Sequence, residues 1–164
     1  MNPMIKKYVD DNFMTEEEGQ YIESAIMNKE SIVVSGHRSS GIRPLFANLM
    51  AVAKKNFNVV QVKKAEDIEK EAAFYLIPAS DDLEAMISGA LGAGDAAFVT
   101  LKEPEHPISL MKILKTNFKQ GKGGTNKKIH TLECRKENDI PFLDKIVEMH
   151  IDENGKVIKT EFEK

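Results

Sequence analysis

Ile32-Val33-Val34-Ser35-Gly36-His37-Arg38-Ser39-Ser40-Gly41-Ile42-Arg43-Pro44-Leu45 is the stretch that decides the fold. A short β-branched run reads as a buried strand and stops at Gly36. Four residues separate Gly36 from Gly41, and Ile42, Leu45, Phe46, Leu49, Met50 and Ala53 then recur at helical spacing. Strand, G-x-x-x-x-G and helix is the layout of a phosphate-binding loop, whose glycines let backbone N–H groups converge on an anion at a helix N-terminus. The side chains that do most of the chemistry differ here. Ile42 stands where that loop has its lysine, Arg43 where it has the hydroxyl that ligates magnesium, and Pro44 removes a backbone donor from the first turn. Two readings follow. In one, Gly36, His37, Arg38, Ser39, Ser40, Gly41 and Arg43 hold an oxyanion weakly. In the other, the segment is a tight strand-to-helix connection without a ligand.

Outward from this stretch the periodicities alternate. Thr15-Glu16-Glu17-Glu18 is a capping box, and Tyr21, Ile22, Ala25 and Ile26 continue it as a helix. Val59 to Val62 predicts a second strand, Glu66 to Ala72 one or two helical turns, and Ala72 to Ile77 a third strand. Asp81 and Asp82 can cap a helix with the apolar face Leu83, Met86, Ile87, Ala90 and Leu91, stopped by Gly92-Ala93-Gly94. Ala96 to Leu101 is a fourth strand, and Pro107 starts a helix that carries Ile108, Met111, Leu114 and Phe118 inward. The glycines of 120–126 and the polar run Lys136 to Pro141 read as loops. Lys128 to Glu133 is a strand, and Lys145–Ile151 with Lys156–Phe162 form a hairpin through Asn154-Gly155. Repeated β-α-β units followed by antiparallel strands predict an α/β, three-layer domain with a mainly parallel sheet.

Composition bounds the function. The 164 residues suffice for one domain, taken as 1–164 with 1–14 as an N-terminal extension. Charged residues make up 30% against 41% hydrophobic, the profile of a globular chain. A formal charge of -3 gives no field for nucleic acid or membrane, and no apolar run approaches a span, so a cytoplasmic location is expected. One cysteine, Cys134, excludes an internal disulfide framework and a multi-cysteine zinc site. His37, His106, His130 and His150 stand at no metal-binding spacing, so no metal is expected. The acidic pairs Asp10-Asp11 and Asp81-Asp82 and the run Glu16 to Glu18 suit caps and helix dipoles better than acid–base catalysis. Lys119, Lys122, Lys127 and Lys128 lack the interleaved aromatics of a nucleic-acid surface.

The segment from Thr15 to Met50 resembles the secretion ATPases, the RecA-like motors of type II and type IV secretion and pilus assembly, closest to the tight-adherence pilus branch. Ser88-Gly89-Ala90-Leu91-Gly92-Ala93-Gly94-Asp95 with the strand to Thr100, and Asp144 to Lys156, are similar to later parts of that family. The resemblance implies a RecA-like P-loop fold over Thr15 to Phe162. It also places Ile77 at the family's Walker B glutamate, Ala79 at its following arginine and Lys102 at its histidine. With the lysine and hydroxyl positions also changed, the resemblance implies a degenerate, ATPase-like domain. Such a domain would act by protein interaction, as a possible homo-oligomer or with another partner, or would bind ATP, ADP or phosphate weakly, and no other cofactor is expected. The alternative is a divergent nucleotide hydrolase that uses Arg38, Arg43 or His37 in place of the lysine.

Overall fold

The computed structural model describes residues 1–163. The elements run α1 (Pro3–Asp10), α2 (Glu16–Met27), β1 (Ser31–Ser35), a 3-10 turn (Arg38–Ser40), α3 (Ile42–Asn56), β2 (Val59–Gln61), a second 3-10 turn (Ala65–Glu69) and β3 (Phe74–Ile77). Then come α4 (Leu83–Leu91), β4 (Ala97–Lys102), α5 (Leu110–Lys119), β5 (Ile129–Glu137), β6 (Ile140–Ile151) and β7 (Val157–Glu161). The seven strands lie in the order β2-β3-β4-β1-β5-β6-β7. Pairings from β2 through to β5 are parallel, whereas β5–β6 and β6–β7 are antiparallel.

Strand β1 is buried on both faces, which is why its sequence is a continuous apolar run rather than an alternating one. Ile32 and Val34 point into a cluster with Ile22, Ile26, Leu45 and Leu49 of α2 and α3. Val33 points the other way, into a cluster with Ile87 of α4 and Ile113 and Leu114 of α5. The result is a sheet between two helical layers, a mixed α/β architecture.

Local chemistry explains most of the boundaries. The Glu18 N–H donates to Thr15 Oγ1 at 3.1 Å and the Thr15 N–H to Glu18 Oε1 at 2.8 Å, closing the expected capping box. The sequence reading assigns no element before Thr15; there Asn2 Oδ1 accepts from the Met4 N–H at 2.9 Å, and the Asn2 cap with Pro3 in the first turn starts α1.

Four expectations need correction. Helix α5 starts at Leu110, not Pro107, because Ser109 Oγ accepts from the Lys112 N–H and takes the cap. Met111, expected inside, is 38% exposed on the outer face of that helix. Asp82 occupies the N-cap of α4 without a side-chain cap bond, and Asp81 faces His106 at 3.5 Å instead. The polar run Lys136–Pro141 is not an open loop. Strands β5 and β6 continue through it, paired to Glu137↔Ile140, and turn on Asn138 and Asp139 with φ of 52° and 63°. Two consecutive positive φ values match the twist of a two-residue hairpin, and Asn and Asp tolerate them better than other side chains with a Cβ.

Candidate functional site

In an open α/β sheet, ligands gather outside the carboxyl ends of the strands where neighbouring connections leave to opposite faces. Here that place lies between β1 and β4. The chain leaving β1 crosses through α3 on one face, and the chain leaving β4 crosses through α5 on the other. The glycine loop and the segment after Lys102 meet at this mouth, where the Gly36 N–H donates to the Lys102 carbonyl at 3.2 Å.

Each loop residue has a definite place. Gly36 has φ +151°, and a Cβ there would lie 2.6 Å from the Cys134 carbonyl oxygen of β5, so glycine is required by both conformation and space. His37 caps the 3-10 turn, with its Nδ1 3.1 Å from the Ser39 N–H and 2.9 Å from Ser39 Oγ. The Ser40 N–H donates to the His37 carbonyl at 2.9 Å, and Ser40 is buried. Arg38 is exposed. Gly41 adopts the left-handed conformation at φ +74° and begins α3. A Cβ at Gly41 would sit 3.4 Å from both Phe13 Cε2 and Pro141 Cβ, so the outside of the loop is covered by the N-terminal segment and the β5–β6 hairpin.

The two positions after Gly41 settle what the loop presents. Ile42 is fully buried, and its Cγ2 would be 3.2 Å from a Cβ at Gly36, so its side chain folds back under the loop into the core. Arg43 turns across the mouth of the crevice to Glu103. Its Nε donates to Glu103 Oε2 at 2.9 Å and its Nη2 to Oε1 at 3.1 Å, a bidentate pair. The Glu103 side chain is 1% exposed, the Arg43 side chain 50%. The hydrogen bonds from Arg43 hold the Glu103 carboxyl below its ordinary pKa of 4.5 against the opposing effect of burial, and the charges of Arg43, Arg38 and His106 act in the same direction.

The other altered positions lie at the ends of β3 and β4. Ile77 is fully buried at the end of β3, and its carbonyl accepts from Thr100 Oγ1 at 2.7 Å. Lys102 ends β4, half-buried. Among the described residues no group of three or more His, Cys, Asp or Glu could hold a metal ion. No described helix is long and apolar enough to cross a membrane.

Sequence reasoning missed Glu103. Its only sequence signal is a position one residue beyond a buried strand, and that the strand lies beside β1 depends on the sheet order. It also missed the setting of His130, which is buried at the opposite end of β1's neighbour β5. His130 Nε2 is 2.8 Å from Glu30 Oε1 and Nδ1 is 2.7 Å from the Tyr21 hydroxyl. The tautomer of the His130 ring sets which of these two contacts donates and which accepts. Burial and the charges of Glu148 and Glu30 push the Tyr21 phenol up to about 12.

Two solved structures are similar in three dimensions. The VirB11 ATPase of the Brucella suis type IV secretion system, solved in complex with sulphate, aligns at TM-score 0.56 and 11% identity, over 89% of this chain and 57% of that one. The chain shares its fold with the aligned part of that ATPase. The Legionella pneumophila ATPase DotB aligns at TM-score 0.51 and 13% identity, over 90% of this chain and 52% of that one. The chain therefore spans a little over half the length of either ATPase. No family model and no curated protein sequence matches it.

Proposed function

We propose that this chain is a distant, non-hydrolysing relative of the secretion ATPases, a degenerate ATPase-like domain that acts by protein interaction or by weak binding of nucleotide or phosphate. The observation that carries the reading is the orientation of Ile42. Phosphoryl transfer in such loops depends on a lysine cradling the β- and γ-phosphates and on a hydroxyl that holds magnesium. At the first position the side chain is apolar and turned into the core, and at the second the guanidinium is engaged by Glu103. A carboxylate to orient water is absent at Ile77, so the positioning and electrostatic parts of catalysis are missing together.

What remains is a loop joined to the sheet and covered by Phe13 and Pro141, in a domain that acts through contacts with a partner or a second copy. The sulphate held by the Brucella suis ATPase supports asking whether an oxyanion binds at all. A thermal-unfolding scan with about 1 mM magnesium-ATP answers it, because a Kd near 10 μM would add about 2.7 kcal/mol of stability. The reading expects a shift well below the roughly 5–10 °C that such binding gives a domain of this size. Magnesium-dependent turnover of ATP that disappears in Arg43→Ala would overturn it in favour of a divergent hydrolase.

A further inference from the structure

We propose that Glu103 is a built-in anion: its carboxylate takes the place opposite Arg43 that a phosphate-type oxyanion would take, and so keeps the crevice between β1 and β4 self-filled. The inference rests on reading the chain as an ATPase-like fold with an altered loop, and adds how its site is regulated.

The geometry is the argument. A side chain one residue past β4 emerges beside the end of β1, at the switch point where ligands of open α/β sheets gather. A carboxylate 99% removed from solvent is costly unless paired, and the chain pairs it through both oxygens. Guanidinium recognises a carboxylate and a phosphate through the same planar fork of N–H donors, so the two compete for one partner. Positive charge from two segments acts on this single carboxylate: Arg43 from α3 and Arg38 from the loop. An ion pair formed within the chain has a far higher effective concentration than a free ligand, so an external anion must displace Glu103 before it can take the Nε–Nη2 edge of Arg43.

Removing the negative charge should therefore create an anion site that the native chain lacks. The test is calorimetric titration of the full chain with pyrophosphate, and separately with ATP, in native protein, Glu103→Gln and the double variant Arg43→Gln/Glu103→Gln. Circular dichroism confirms that each is folded. The expected result is pyrophosphate affinity at least tenfold tighter in Glu103→Gln than in native protein, with the gain lost in the double variant and ATP following pyrophosphate. If Glu103→Gln does not fold, Glu103→Asp keeps the charge but withdraws the carboxylate by one methylene, and a severalfold gain is expected there. Equal affinity in native protein and folded variant overturns the inference while leaving weak nucleotide binding intact. A gain that survives Arg43→Gln, or one seen with ATP but not pyrophosphate, also overturns it, since the contact then lies elsewhere.

Discussion

Replacing Ile42 with lysine puts back the residue type that a phosphate-binding loop carries, and the structure predicts damage rather than repair. Ile42 is fully buried and packs beneath Gly36. Loss of a buried isoleucine removes about 1.5–3 kcal/mol of transfer free energy, and truncation at such sites costs about 2–5 kcal/mol once the cavity is included. A lysine stem restores part of the apolar contact, but its ammonium must either be desolvated or bend out past the Gly36 backbone. These opposing contributions leave a net loss of about 3 kcal/mol. For a chain of this length that corresponds to a fall in Tm of about 6–12 °C. Thermal denaturation followed by circular dichroism reads it directly, with Ile42→Val as a control expected to lose about 1 kcal/mol. If Ile42→Lys instead melts within 2 °C or so of native protein, as surface substitutions do, the side chain at this position faces the loop interior. The reasoning about the loop then fails.

Other consequences follow from single contacts. Asp139 holds φ 63° in the β5–β6 turn, so Asp139→Val should lower stability by about 1 kcal/mol or more while Asp139→Gly is neutral or stabilising, read from denaturant midpoints. The Cys134 thiol is buried and pushed up to about 12, so a thiol reagent at pH 8 should leave the native protein unmodified and label it fully in denaturant. Equal labelling rates in the two conditions would contradict the buried placement. The Glu103 carboxyl lies below its ordinary pKa of 4.5, so its stabilising effect is complete above that value and is lost as pH falls through the lower, folded value. The stability gap between native protein and Glu103→Gln should therefore be constant near neutrality and narrow as acidification takes the pH below 4.5; a gap that widens there contradicts the ion pair.

Much of this architecture was legible in the sequence because burial on both faces leaves an unmistakable mark. β1, β3 and β4 are short apolar runs, and α2, α3 and α4 carry apolar stripes between recognisable breaks. The β5–β6 turn was harder to see. Asn138-Asp139 lacks the glycine that announces a two-residue hairpin, and the polar residues around it belong to a strand pair extending past the end of β1, where only part of each face is covered. The loop residues could be named from spacing alone, since Gly36 and Gly41 are forced by local conformation. What their neighbours do with them was not legible. The burial of Ile42 beneath Gly36, the bidentate grip of Glu103 on Arg43 and the linkage of Tyr21, His130 and Glu30 join residues far apart in the chain, brought together only by the strand order.

Phosphate release from magnesium-ATP, followed at protein concentrations high enough to detect a few turnovers per hour, tests the central claim most directly. The account predicts no release above the protein-free rate, for native protein and Arg43→Ala alike. Release that requires magnesium, scales with native protein and is abolished in Arg43→Ala would contradict it and make the chain a hydrolase.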